Sequence, residues 1–264
     1  MPSDLWIARS GPKPLIIAHR GGAALAAENT VEALQAAACC GADAIETDIR
    51  LTKDGTFVCM HDDDLRRLCG NARAVSDVDL ATLRHLLPAT MTLREALAAS
   101  GSLGVLLDIK LADPRQVGRI LDEVAGAHAA GRTMLGLRSL ELIAAARSAR
   151  EDIAILAFLE EPDAARRARD AGADWFRLWQ GDASPERSAL VRRAGLHLAI
   201  MVGQPRSTPL PEYPPFPVGL IDREGLERLR PIGPEAILLD DPRLAAGCFG
   251  QGLPPGSDQQ SMPA

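Results

Sequence analysis

Short apolar runs alternate with amphipathic stretches along almost the whole chain, and one interval is far too short to hold the helix found in the others. The runs are Leu15–Ala18, Ala44–Arg50, Phe57–Met60, Val105–Ile109, Thr133–Leu137, Ile153–Phe158, Trp175–Leu178, His197–Val202 and Ala236–Leu239. Helical patterns fill most gaps, at 30–40, 80–87, 93–99, 115–130, 140–149, 163–171, 185–193 and 224–229. Repeated strand–helix alternation predicts a parallel sheet covered by helices. Between Leu51 and Phe57 stand only Thr52-Lys53-Asp54-Gly55-Thr56. A parallel crossover needs a dozen or more residues, whereas Asp-Gly marks a hairpin turn. Phe57 onward is therefore expected to fold back antiparallel on the second strand. Eight strands remain in a chain of 264 residues, and a TIM (β/α)8 barrel takes about 250. The expected fold is that barrel, carrying a short helical insertion after the second-strand hairpin; an open doubly wound sheet is the alternative that strand count leaves standing.

The hairpin has a geometric consequence. With Thr52 facing Thr56, His61 lies opposite Thr47, which returns it to the barrel rim beside Glu46 and Asp48. On the second strand, Ile45-Glu46-Thr47-Asp48-Ile49 places Glu46 and Asp48 on one face, and on the next barrel strand Asp108 and Lys110 share a face. Carboxylates on central strands are costly to bury unless paired or bound to metal. Any one of them reads as a member of a salt-bridge layer, for instance Glu46 with Lys110. Three converging at the strand ends read as a site, and all-oxygen ligation suits Mg²⁺ or Ca²⁺. His19 ends the first strand and His61 the hairpin return. Two imidazoles flanking a metal, with Arg20 and Lys110 nearby, suit phosphoryl transfer, where protons must move at both ends of a charged transition state.

Ile17-Ala18-His19-Arg20-Gly21-Gly22 followed by Glu28-Asn29-Thr30, Gly41 to Ile49, and Thr52 to Asp62 resemble the opening motifs of the glycerophosphodiester phosphodiesterase family. Val75-Ser76-Asp77, Met91 to Glu95, Asp108-Ile109-Lys110 and Gly233 to Pro242 extend the likeness, more loosely. The resemblance implies a TIM barrel with an insertion at about Arg66 to Ser100. It implies one divalent cation, Mg²⁺ or Ca²⁺, held by Glu46, Asp48 and Asp108. His19 and His61 become the general acid and base, with Arg20 and Lys110 on the phosphate oxygens. The implied reaction is attack of the glycerol 2-hydroxyl on phosphorus, release of the alcohol, and hydrolysis of the cyclic product to sn-glycerol 3-phosphate. Two departures stand out. Asp108 replaces the usual glutamate, and the tryptophan of the family's seventh strand aligns with Ile200. A sphingomyelinase D-like or lysophospholipid-cleaving enzyme on the same barrel, or a catalytically altered phosphate-binding barrel, are the competing readings.

Other residues carry weaker signals. Arg177, in Trp175-Phe176-Arg177-Leu178-Trp179, has two readings: a substrate or phosphate contact from the sixth strand, or a salt bridge at the rim. Trp179 reads as core or loop packing ahead of a substrate surface. Asn29, three before Glu32, reads as a helix cap, and the resemblance implies an additional role for Glu28 and Asn29 in shaping the mouth. The prolines at 205, 209, 211, 214, 215 and 217 are expected to stiffen a pocket wall. His85, His128 and His197 are expected to be structural or exposed. The five cysteines show no metal or disulfide spacing and are expected to be buried apolar side chains. The formal charge of −6 and nine aromatic residues exclude a general nucleic-acid binder. With no long apolar run and no leader-like start, the expected setting is the cytoplasm, without stable membrane insertion, and the partner a small phosphodiester. Residues 1–250 are expected to form one domain and 251–264 a disordered tail.

Overall fold

The computed structural model describes residues 4–7, 13–205, 213 and 215–249. Eight parallel strands form a closed ring: β1 Leu15–Ala18, β2 Ala44–Leu51, β3 Gly104–Ile109, β4 Thr133–Leu137, β5 Ala154–Ala157, β6 Trp175–Trp179, β7 His197–Met201 and β8 Ala236–Leu239. β1 pairs with both β8 and β2, so the ring has no edge left to template aggregation. The surrounding helices begin where the sequence supplies caps. Ser139, Ser184 and Asp222 each accept a backbone N–H of the first turn, and Thr92 with Glu95 makes a full capping box. The barrel is a TIM (β/α)8 barrel.

Period-two alternation sorts the strand residues into two cores. Ile45, Ile49, Leu107, Leu135, Phe176 and Ile200 face the helices. Leu15, Ile17, Ala44, Leu106, Met134 and Leu156 face the barrel axis, with Trp175, Ala199, Ala236 and Leu238. The lower interior is thus filled by apolar side chains. Its floor is closed by the helix Asp4–Ile7, which the sequence reading had not marked. Trp6 is 1% exposed, stands edge-on to Trp175 at 6.4 Å, and donates its indole N–H to the Arg132 carbonyl at 2.9 Å. The axial positions nearest the strand C-termini are polar instead.

The predicted hairpin is present in the predicted register. Phe57–Cys59 pairs antiparallel with β2 through Ile49–Cys59, Arg50–Val58 and Leu51–Phe57. The Thr52 N–H donates to the Thr56 carbonyl at 3.0 Å, and Gly55 takes the left-handed φ of +80° that the turn requires. The insertion that follows holds helices Arg66–Cys69, Leu80–Leu86 and Leu93–Ala99, as expected. It also holds a small sheet of Asp64–Leu65 with Asn71–Ala74. Val58, Met60, Leu65, Val75, Val78 and Leu83 give this region an apolar cluster of its own. Among the cysteines only Cys59 and Cys248 are buried, while Cys39 and Cys69 are exposed, which corrects the expectation of five core side chains. No helix among the described residues is long and apolar enough to cross a membrane. Residues 251–264, and Pro209, Pro211 and Pro214 of the proline-rich loop, lie outside the described residues.

Candidate active site

The mouth of the barrel collects side chains from almost every strand. Glu46 and Asp48 project inward from β2, and register places Asp48 beside Asp108 of β3. One oxygen from each of Glu46, Asp48 and Asp108 lies within 4.8 Å of the others, and all three residues are buried. Burial and the charges of Asp48 and Asp108 push Glu46 up to about 8. Burial also opposes ionisation of Asp48 and Asp108, but Lys110 outweighs it and holds both below the usual carboxylate range, with Arg138 adding to the effect on Asp108. The Lys110 ammonium lies 2.6 Å from Asp108 Oδ2 and 2.9 Å from Asp48 Oδ1. It is these two, not Glu46, that Lys110 pairs with. The Lys110 ammonium is the only partner of the buried Asp48 Oδ1 among the described residues. A deep carboxylate held up near neutrality by its neighbours, and a buried oxygen with a hydrogen-bonding site to spare, fit a hard divalent cation in an all-oxygen site.

Both histidines reach this mouth. His19 opens a short 3-10 turn, His19–Gly21, directly after β1. Its Nδ1 lies 2.6 Å from Asp240, just past β8, and its Nε2 is 4.0 Å from Glu46. Burial pulls its pKa down, yet Asp240 and Glu46 outweigh burial and leave it above 6.5. His61, half-buried, lies with Nδ1 2.8 Å from Asp62. Burial, aided by Arg20 and Lys110, leaves it below 6.5. Arg50 fixes the His61 backbone by donating Nε and Nη2 to its carbonyl at 3.0 and 2.8 Å. Asp62 is held in turn by Arg67 at 2.6 Å.

Arg20 occupies the left-handed region at φ +51°, a strained position for a side chain of its size. Its backbone N–H donates to Glu46 Oε2 at 2.7 Å and its Nη1 to Glu28 at 2.9 Å, while its buried Nε makes no hydrogen bond and lies 4.0 Å from Asp48 Oδ2. Asn29 is also left-handed, at φ +56°. It is not the helix cap: Thr30 is, accepting from the Ala33 N–H. Asn29 instead donates to Asp48 Oδ2 at 3.0 Å and accepts from the Thr47 hydroxyl at 2.7 Å, bracing β2 beneath the acidic cluster.

Two contributors escaped the sequence reading. Arg138, just after β4, forks onto Asp108 with Nε at 2.9 Å and Nη2 at 2.5 Å. The alternation Met134, Gly136, Arg138 was the available signal. Asp240, just past β8, continues the inward alternation Ala236, Leu238 in the same way. Arg177 is 5% exposed and makes no ion pair among the described residues, so the rim salt bridge does not form. Trp179 packs, half-buried, against the axial core and also lines the cavity. Ile200 is buried among the helix-facing residues, and the seventh-strand residue that reaches the chamber is Met201. An outer cavity of about 610 Å³ has Arg20, Arg50 and Arg138 in its wall, closed on one side by Pro205, Pro215 and Pro217. It shares His61, Lys110, Arg138 and Trp179 with an inner chamber of about 60 Å³ that reaches His19, Glu46, Asp108 and Arg177. The expected proline wall is therefore present in its described part. His85, His128 and His197 are absent from both linings, and His197 pairs with Glu235 at 3.3 Å.

Fold and site together define a TIM barrel whose strand C-termini carry an acidic cluster between two imidazoles, ringed by guanidinium groups. Residues 19–125 match the model of the glycerophosphoryl diester phosphodiesterase family. The glycerophosphodiester phosphodiesterase of Caldanaerobacter subterraneus is 42% identical over 74 residues, 28% of this chain and 30% of that protein. Human glycerophosphodiester phosphodiesterase 1 is 37% identical over 109 residues, 36% of this chain and 33% of that protein. The alignments thus span about a third of the length of these curated relatives. In fold the chain is similar to an Oleispira antarctica phosphodiesterase solved with sn-glycerol-3-phosphate, with a TM-score of 0.73 at 18% identity, covering 90% of this chain and 98% of that one. The likeness to this family is carried by residues 19–125 in sequence and by the barrel in fold.

Proposed function

We propose that the protein is a metal-assisted hydrolase that converts glycerophosphodiesters to sn-glycerol 3-phosphate and an alcohol. One observation carries this reading. Among the described residues, three buried side-chain polar atoms lack a hydrogen bond: Arg20 Nε, Asp48 Oδ1 and Arg177 Nε. All three belong to residues at the barrel mouth, two suited to an anion and one to a cation. Buried polar atoms are rarely left unsatisfied; the two guanidinium groups can still take anionic oxygens of a substrate, and Asp48 Oδ1, paired only with Lys110, has a lone pair left for a cation. The product found in the Oleispira neighbour supports the same chemistry for this barrel.

In this reading Glu46, Asp48 and Asp108 hold one divalent cation, Mg²⁺ or Ca²⁺, which supplies Lewis-acid charge to the phosphoryl oxygens when bound. Arg20 and Lys110 neutralise the growing negative charge of the transition state. One imidazole accepts the proton of the attacking hydroxyl and the other protonates the departing alkoxide. Asp240 and Asp62 fix the two rings through Nδ1, which leaves Nε2 of each for the substrate. Asp108 is one C–C bond, about 1.5 Å, shorter than a glutamate, and the Arg138 fork holds it in a single orientation. Residues 1–250 act as one catalytic domain.

The test is a panel of glycerophosphodiesters with glycerol 3-phosphate detection. EDTA should stop turnover and Mg²⁺ or Ca²⁺ restore it. His19→Ala and His61→Ala should lose turnover with unchanged circular dichroism. Absence of glycerol 3-phosphate from every diester, with either metal supplied, refutes the assignment; near-normal activity in either histidine variant refutes the acid–base roles.

A further inference from the structure

Arg177 is the most costly side chain at the mouth, and the reacting phosphate does not account for it. β6 stands across the ring from β2, four strands away in either direction. The groups that would hold the reacting phosphate, Arg20 and Lys110, lie on the β1–β3 side with the acidic cluster. Arg177 is buried, and among the described residues its Nε makes no hydrogen bond and its one hydrogen bond is a long contact of 3.5 Å from Nη2 to the Leu159 carbonyl. Asp108 and Asp182 act on it only through space and neither pairs with it: Asp108 is held by Lys110 and Arg138, and Asp182 by Arg187 at 3.0 Å and the Tyr213 hydroxyl at 2.7 Å. Burial and the nearby Arg138 charge lower its pKa to about 10, so it remains cationic at neutral pH.

Arg138 makes matters worse for a purely structural role. Its guanidinium lies 5.6 Å from the Phe158 ring centre, and that of Arg177 lies 5.5 Å from the same ring. Two cations thus flank one aromatic ring, and only Arg138 has a carboxylate. Gly136 is spent to seat that ring: a Cβ there would fall 2.3 Å from Phe158. The Trp179 ring is already covered by Arg177 at 4.6 Å. An exposed indole face in this position would have suited a quaternary ammonium; here it presents a cation instead.

Resting on the glycerophosphodiesterase reading above, we propose that Arg177, with Arg138 beside it, forms a second anion subsite, one that selects glycerophosphodiesters whose alcohol carries its own carboxylate or phosphomonoester. Diesters with a choline or ethanolamine alcohol are disfavoured by the same charge. A ligand anion supplies the hydrogen bonds and charge that the fold withholds from Arg177.

The experiment compares glycerophosphoglycerol with the same molecule carrying a terminal phosphomonoester. Binding is measured calorimetrically to the His61→Ala protein with Mg²⁺ present, so the readout does not depend on turnover. The phosphomonoester should bind tighter by about tenfold or more, the size of a charge-assisted hydrogen bond. Adding Arg177→Met or Arg177→Gln should remove most of that advantage, and Arg177→Lys should retain part of it. The melting temperature of Arg177→Met without ligand should stay level or rise, since an unpaired buried charge has been replaced by an apolar side chain. Equal affinities for the two ligands, an advantage that survives in both neutral variants, or a melting temperature that falls by many degrees overturns the subsite. If the wild-type protein cleaves neither ligand but the binding preference and its loss are seen, the hydrolase reading fails and the subsite stands.

Discussion

Asn29 offers a test of the site's foundations that needs no activity at all. It is 4% exposed, sits at φ +56°, and makes two short side-chain hydrogen bonds, to Asp48 Oδ2 at 3.0 Å and from Thr47 Oγ1 at 2.7 Å, besides a long one of 3.4 Å from the Asp48 N–H that adds little. Replacement by Ala removes a bond to a carboxylate, typically about 1.5–3 kcal/mol, and a neutral one of about 1 kcal/mol. It also places a Cβ-bearing residue without a local hydrogen bond in the left-handed region, at about 1 kcal/mol. Asn29→Ala should therefore lose about 4 kcal/mol of unfolding free energy. Asn29→Gly loses the same hydrogen bonds without the backbone strain and should be about 1 kcal/mol better than Ala. Urea unfolding followed by circular dichroism reads both, with the m-value checked for constancy. If both variants unfold within 1 kcal/mol of the wild type, Asn29 does not brace the acidic cluster and the reasoning is wrong.

Asp240→Asn should move the His19 titration midpoint down, because the carboxylate hydrogen bond and charge that raise it are gone; NMR titration reads the shift, and turnover should fall by about 10²–10⁴ if the tautomer matters as it does in other carboxylate–histidine pairs. Trp6→Ala should cost about 3–5 kcal/mol in urea unfolding by opening the barrel floor, and a loss under 1 kcal/mol would show that the floor helix contributes little. Glu235 is held below its ordinary 4.5, burial being outweighed by His197 and the Leu198 N–H, which it accepts at 2.6 Å. Its stabilisation is present above that ordinary value and is lost as pH falls through the lower folded value. Glu235→Gln should flatten this part of the acid limb of stability against pH, and an unchanged limb removes Glu235 from it.

The barrel was legible because its strands announce themselves twice, by apolar content and by the polar residues that interrupt it. The hairpin register followed from the Asp54-Gly55 turn alone, since a two-residue period leaves no freedom once the turn is placed. The acidic cluster followed from strand alternation at Glu46, Asp48 and Asp108. Other features depended on partners far away in the chain. Arg138 became meaningful only when register set β4 beside Asp108, and Asp240 only when the ring closed against β1. The capping reading of Asn29 failed because Asn before a helix suits both a cap and a left-handed turn, and the choice was made by Thr47 and Asp48; only the family resemblance pointed it to the mouth. The four residues of the floor helix were too few to show a period, although Trp6 is among the most buried side chains of the molecule.

The axial lining changes from hydrocarbon to charge within a single turn of alternation, as in Ala44, Glu46, Asp48 on β2 and Leu106, Asp108 on β3. A strand that slipped by two residues would keep its inward and outward faces but drag a carboxylate or guanidinium down among Leu15, Ala154 and Trp175. The charged crown therefore acts as an alignment key during assembly: it penalises the very mispairing that hydrophobic patterning alone would permit.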